Sequence, residues 1–152
     1  MSSDKIMRSV EALCAKDGVA FTSKRRDVLS LMLKESKALS AYEIADLLRK
    51  KSKSFLPAMS VYRILDFFEG KKLVHKILSM NKYTVCSHIT CEHEHTMPRI
   101  VVCSKCLKSK EFMSESSITK EVKEDLESID FHLESKHLEL IGICSNCSRH
   151  KA

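Results

Sequence analysis

The chain has 152 residues, of which 43% are hydrophobic, and a net charge of +6. That size suits one domain or two small ones with an apolar core. The start, Met1 to Lys5, lacks an apolar run of signal-peptide length, and no stretch approaches the roughly 18 apolar residues of a transmembrane helix, so a cytoplasmic protein without a membrane partner is expected. In that compartment the seven cysteines are expected to be thiols and metal ligands rather than bridges. The charge is segregated: residues 1–80 carry 16 Lys and Arg against 9 Asp and Glu, and residues 81–152 carry 10 against 11. A basic half beside a nearly neutral one is the electrostatic footprint of a polyanion-binding module.

In chain order, Ile6, Val10, Leu13 and Cys14 recur at helical spacing and predict a helix over 4–16 that stops near Gly18. Thr22 reads as the N-cap of a second helix with Val28, Leu29, Met32 and Leu33 inward and Lys24, Arg25 and Arg26 exposed in its first turn. Ser40-Ala41-Tyr42-Glu43 is a capping box that opens a third helix with Ile44, Leu47 and Leu48 buried. Charge, serine and Pro57 interrupt the pattern. Val61, Ile64, Leu65 and Phe68 then predict a fourth helix ended by Gly70, with Ser60 and Arg63 on its other face. Residues 73–78 and 83–86 read as a β-hairpin. Helices followed by a hairpin, with a polar-faced last helix, describe a winged helix-turn-helix whose last helix enters the major groove.

Residues 86–97 hold two thiols and three imidazoles with little apolar content, which points to metal binding beside His75. Strands are expected over 99–102 and 108–112, a helix on Ile118, Val122, Leu126 and Ile129, and a last strand from Phe131 to Ile143. The fold class is therefore α+β. The pairs Cys103-x-x-Cys106 and Cys144-x-x-Cys147, with thirty-seven residues between them, match one closed four-thiolate zinc site. Two redox pairs or a disulfide framework are the rival reading of the same spacing.

Taken together, the chain resembles the ferric uptake regulator family, in its zinc uptake regulator branch. The likeness runs over nearly the whole chain. It is carried by Phe21-Thr22-Ser23-Lys24-Arg25, by Ser60-Val61-Tyr62-Arg63-Ile64-Leu65, by Leu138-Glu139-Leu140-Ile141-Gly142-Ile143-Cys144 and, for the branch, by Ser40-Ala41-Tyr42, the phrase from Phe67 to Lys76 and Cys86. The resemblance implies a homodimer on a palindromic double-stranded operator. A winged-helix domain would span 1–86, a metal-binding hinge 87–98 and a zinc-stapled dimerisation domain 99–152. Tyr42 and Arg63 match base-contacting positions, Ser60 and Tyr62 match positions that touch the DNA backbone, and Arg25 belongs to the basic cluster that meets phosphate. Asp46 and Arg49 match a charged pair that joins neighbouring dimers, against the simpler reading of an i,i+3 surface pair.

The resemblance further implies two zinc ions per chain, one structural on Cys103, Cys106, Cys144 and Cys147, and one regulatory on His75, Cys86, His95 and Glu111. The segment after Cys86 is one residue longer than the matched pattern, which leaves His93 or Cys91 as a substitute for His95. Lys136 stands where many relatives place a metal-binding His, and His137 falls one residue off on the opposite face of a strand, so a third metal site is not expected. Zinc on the regulatory set would fix the angle between domains and favour the DNA-competent arrangement, giving a zinc-responsive repressor of zinc uptake and homeostasis genes. An iron-, manganese- or peroxide-responsive sibling is the alternative. A zinc-ribbon adaptor that does not bind DNA is disfavoured by the basic first half. An enzyme is not expected, and neither is a small-molecule substrate. His132-Leu133-Glu134 ahead of Cys144 mimics a deaminase motif only superficially, since the spacing is short, Ile143 replaces the required proline and four thiolates leave no open zinc position.

Overall fold

The computed structural model describes residues 3–51, 55–89, 98–112, 117–134 and 137–149, without the side chains of 117–119. Four helices come first: α1 (Ser3–Lys16), α2 (Ser23–Glu35), α3 (Ala41–Lys51) and α4 (Ala58–Gly70). A hairpin follows, β1 (Val74–Ile77) and β2 (Lys82–Val85), joined through a single 3-10 turn at Leu78–Met80. The second half contains β3 (Arg99–Cys103), β4 (Ser109–Phe112), α5 (Ser117–Glu127), β5 (Leu138–Gly142) and α6 (Ser145–Arg149). The fold is α+β, a winged helix-turn-helix followed by a small α/β unit.

Helices α2 and α3 start where a side chain satisfies free amides. The Thr22 hydroxyl accepts from the Arg25 amide at 3.4 Å. At α3 the capping box is complete: Glu43 N–H donates to Ser40 Oγ at 3.2 Å and Ser40 N–H donates to the Glu43 carboxylate at 2.7 Å. That carboxylate also takes Lys82 Nζ, which ties the start of the helix-turn-helix to the wing. Helix α1 ends in a turn at Gly18, whose φ of +66° is open to glycine without strain.

The apolar faces meet in one core. Val10, Cys14, Val28, Leu29, Met32, Ile44, Leu48, Val61, Leu65 and Phe68 are buried together, with Leu73, Val74 and Tyr83 of the wing closing one side. Leu39 and Tyr83 exchange backbone hydrogen bonds at 2.8 and 3.0 Å, so the chain before α3 adds a short third rung to the wing. The second sheet has the order β4-β3-β5, with β4 antiparallel and β5 parallel to the central strand. Between the halves lies a much smaller apolar contact: Ala38 and Ile77 pack on Ile100 and Val102 of β3, with Met80 alongside. Inter-domain contacts of that size leave relative motion as the default.

Two expectations are corrected. The last strand runs from Leu138 to Gly142, not from Phe131, because β3 offers a partner only from Arg99 to Cys103. Residues 131–134 have no ladder to join, and Phe131 is exposed. Helix α5 stops at Glu127, so Ile129 lies in the turn beyond it and is exposed. Ser40→Ala is expected to destabilise the protein by about 1 kcal/mol through loss of the cap, read as a lower midpoint in chemical denaturation with zinc content unchanged.

Candidate metal centres and nucleic-acid interface

The four-cysteine cluster forms where β3 and β5 end side by side. Cys103 is the last residue of β3, and Gly142 of β5 lies opposite it. The chain turns back through Leu107 in the left-handed region, with Leu107 N–H bonded to the Cys103 carbonyl at 2.9 Å, which folds Cys106 under Cys103. Cys144 and Cys147 follow β5 and open α6. The donor sulfurs of Cys103, Cys106, Cys144 and Cys147 all lie within 4.8 Å of one another, and Cys106 Sγ stands 3.7 Å from Cys144 Sγ. Tetrahedral zinc–thiolate geometry sets sulfur–sulfur edges of about 3.8 Å, so these residues fit the metal. Backbone amides of Cys106 and Cys144 pull the Cys103 thiol down to about 6. The facing sulfurs of Cys144 and Cys106 push Cys147 up to about 12. No disulfide joins any of the six described cysteines.

A second group of donors spans the junction of the two halves. His75 comes from β1, Cys86 from the residue after β2 and Glu111 from β4, and their donor atoms lie within 4.8 Å of one another. His75 Nε2 is 3.2 Å from Glu111 Oε1, close enough for an ion pair but off the angle of a hydrogen bond. Cys86 Sγ is 3.9 Å from the same oxygen. Zinc bonds of about 2.0 Å to oxygen and nitrogen and about 2.3 Å to sulfur set edges of about 3.3 and 3.5 Å, so the set fits with small adjustment. Glu111 Oε2 meanwhile accepts the Ser87 amide at 2.8 Å. Burial pushes the Glu111 carboxyl up, but His75, the Ser87 amide and the neighbouring His88 outweigh it and hold the group at about 2. The carboxylate is thus ionised and aimed, as a ligand must be.

The predicted third ligand and its substitutes, His95, His93 and Cys91, lie outside the described residues, as does Lys136. Sequence reasoning had not singled out His88. Its Nδ1 lies 3.7 Å from Glu111 Oε1 and its amide donates to Cys86 Sγ at 3.4 Å. The signal was its place two residues after Cys86, on the turn that leaves β2. His137 was expected on the strand face opposite to position 136, without a third metal site. It is buried, with Nε2 at 3.2 Å from Glu139 Oε1 and its ring centroid 5.9 Å from that of His75.

On the helix-turn-helix face, Tyr42 at the start of α3 stacks edge-on against Tyr62 of α4, with centroids 6.1 Å apart, and is 65% exposed. Arg63 is exposed one residue further along α4, and Ser60 is half-buried. An open groove of about 470 Å³ is lined by Thr22, Lys24, Arg25, Ser60 and Arg63. Arg25 is held there: its guanidinium sits 3.5 Å over the Phe67 ring and Nη1 donates to the Ala20 carbonyl at 2.5 Å. Asp46 and Arg49 form an exposed pair at 2.7 Å.

Basic winged helix, thiolate staple and a mixed His/Cys/Glu cluster at the joint define a metal-linked DNA-binding regulator. The chain belongs to the ferric uptake regulator family, whose model matches residues 16–141. It is 32% identical over 147 residues to the zinc uptake regulation protein of Escherichia coli (strain K12), covering 96% of this chain and 83% of that protein. A solved zinc uptake regulator complexed with zinc and DNA matches it with a TM-score of 0.82 and 29% identity, over 98% of this chain and 97% of that one. Holo XcZur matches with a TM-score of 0.75 at 26% identity, over 97% of this chain and 99% of that one. Apo XcZur matches at only 0.52 with 27% identity, over 95% and 97%.

Removing one staple ligand tests the first cluster. Cys147→Ser is expected to release the zinc held there and to unfold the second half, since metal binding and folding are coupled. Metal analysis together with loss of the dimer in analytical ultracentrifugation would show it.

Proposed function

We propose that this chain is a zinc-responsive, DNA-binding repressor that acts as a homodimer on a palindromic operator and governs zinc uptake and homeostasis genes. The observation that carries this reading is the junction cluster: His75 on the wing, Cys86 at its exit and Glu111 in the second half. In this reading residues 1–86 are the DNA-binding domain, 87–98 the hinge and 99–152 the dimerisation domain. Two zinc ions bind per chain. The structural one belongs to Cys103, Cys106, Cys144 and Cys147. The regulatory one belongs to His75, Cys86 and Glu111 with a fourth donor from the hinge: His95, or His93 or Cys91 in its place, with His88 a further imidazole at the site.

A zinc ion held by that set would join both halves of the chain at one point. Its ligands do the rest. His75 moves with the wing and Glu111 with β4, so drawing them together fixes the recognition helix relative to the dimer axis. The dimer supplies that axis through the exposed apolar side chains on and after β5, Leu140, Ile141 and Ile143, a surface that an edge strand buries against a second copy. By linkage, DNA then raises zinc affinity by the factor by which zinc raises DNA affinity. A thiolate among the donors suits zinc better than iron or manganese, which favours this reading over an iron-, manganese- or peroxide-responsive sibling. On the DNA face, Arg63 and Tyr42 read bases, Ser60 and Tyr62 meet the backbone, and Arg25 meets phosphate from its seat on Phe67.

An operator duplex selected from random sequence should bind tightly at two zinc equivalents per chain and weakly at one. Cys86→Ser should abolish that difference while keeping the staple zinc. Operator binding indifferent to the second equivalent in fluorescence anisotropy would refute the proposal. Arg63→Ala is expected to lose about 1–3 kcal/mol of preference for the operator over scrambled DNA, measured by competition at fixed salt.

A further inference from the structure

The sheet of the second half presents a row of three side chains to the wing. Ile100 on the central strand pairs with Glu111 on β4 and with Glu139 on β5, and residues opposite one another across a sheet share a face. Ile100 packs on Ile77 of the wing. Glu111 takes the metal side of the junction. Glu139, at the other end of the row, is filled by the wing itself. Its carboxylate accepts Leu78 N–H at 2.6 Å, Ser79 N–H at 3.1 Å and the Ser79 hydroxyl at 2.5 Å, and faces His137 Nε2 at 3.2 Å.

These contacts join residues 60 and 61 positions apart, and they need no metal. Leu78 and Ser79 begin the turn that directly follows β1, the strand that carries His75. A carboxylate that accepts several N–H and O–H groups in a largely buried setting makes charge-assisted bonds, stronger than their neutral counterparts. The bonds from Ser79 and Leu78, with His137, overcome the effect of burial and keep the Glu139 carboxyl below its usual range.

We propose that Glu139 is a positioning residue of the switch: it latches the wing turn to β5 without metal, keeps His75 in reach of Cys86 and Glu111, and so lowers the zinc concentration at which the junction closes. This rests on the regulatory reading of the His75, Cys86 and Glu111 cluster. The latch and the metal act on the same equilibrium. With Glu139 bonded, part of the ordering needed for zinc binding is already complete, and the remaining affinity is higher for it.

The test uses the full chain with its staple zinc retained and the isosteric variant Glu139→Gln. An amide cannot accept from all these donors, because its NH₂ group faces an N–H or a hydroxyl. In competition against a chelator, the second zinc equivalent should bind about tenfold more weakly, as loss of charge-assisted hydrogen bonds predicts. Amide exchange at Leu78 and Ser79 should be faster in the variant when only the staple is loaded. At saturating zinc, operator affinity should match the parent. An unchanged second-site affinity, or unchanged exchange at Leu78 and Ser79, overturns the latch. Equal weakening at saturating zinc, together with loss of the staple metal, shows a merely structural role and overturns it too. A parent chain that takes up no second zinc refutes the regulatory reading instead, and the exchange comparison still decides whether Glu139 holds the wing.

Discussion

Glu111 is the group on which the arrangement of the two halves depends. It sits on β4 yet makes its contacts with the wing: one oxygen takes the Ser87 amide and the other faces His75 and Cys86. A buried carboxylate with no such partners would be strongly disfavoured. The wing is thus needed to satisfy Glu111, and Glu111 is needed to place the wing. The apolar contact beneath it, Ala38 and Ile77 on Ile100 and Val102, is too small to fix an angle by itself. Hydrophobic attraction has no direction. What it supplies is proximity, and the polar groups supply geometry. The Thr84 and Ser109 hydroxyls, 2.6 Å apart, and Ala38 N–H on the Leu107 carbonyl at 3.0 Å belong to the same seam.

That division explains why the two clusters of metal donors have different chemistry. Four thiolates in a closed shell at the end of two paired strands form a site with no moving parts, and folding of the second half is inseparable from it. Such a site holds its ion too firmly to follow changes in its supply. The junction set takes its donors from elements that can separate: one imidazole, one thiolate and one carboxylate on three different strands or their ends. A metal bound there would have its affinity reduced by whatever fraction of molecules held those donors apart. A shift from 1:99 to 99:1 in such an equilibrium needs about 5.5 kcal/mol of differential binding, and every contact across the seam changes how much of that the metal must supply.

Much of the fold was legible because it is local. Ser40 and Glu43 meet within one turn, and the apolar periods of α1 to α4 are those of helices packed on one side. The C-x-x-C pairs were legible for the same reason, since two donors on a tight turn need only one partner turn. His75, Cys86 and Glu111 came from a family pattern and not from spacing, and the structure brings their donor atoms together. The long last strand failed for a physical reason. The run from Phe131 carries apolar residues enough for a strand, but ladder bonds need a neighbour, and β3 ends the pairing at Leu138. His137 immediately precedes β5 and lies beside Glu139 and His75, a position that depends on tertiary packing and not on strand alternation. Nothing local in Leu138-Glu139-Leu140 marks the glutamate as the partner of a turn sixty residues earlier.

The row Glu111, Ile100, Glu139 connects these points. A carboxylate largely withdrawn from water is costly unless its acceptors are filled, and on the two outer strands here Glu111 takes the Ser87 amide and faces His75, while Glu139 takes the Leu78 and Ser79 amides. The sheet would present two underbonded carboxylates if the wing swung away, while the wing would expose Ile77 and the free amides of its turn. Opening therefore does not trade one good arrangement for another; water must replace the lost bonds on both faces. The bonds that Glu139 makes with Leu78 and Ser79, and that Glu111 makes with the Ser87 amide, all run across the seam between the two halves. In the proposed reading, zinc would act at one end of that row and Glu139 at the other.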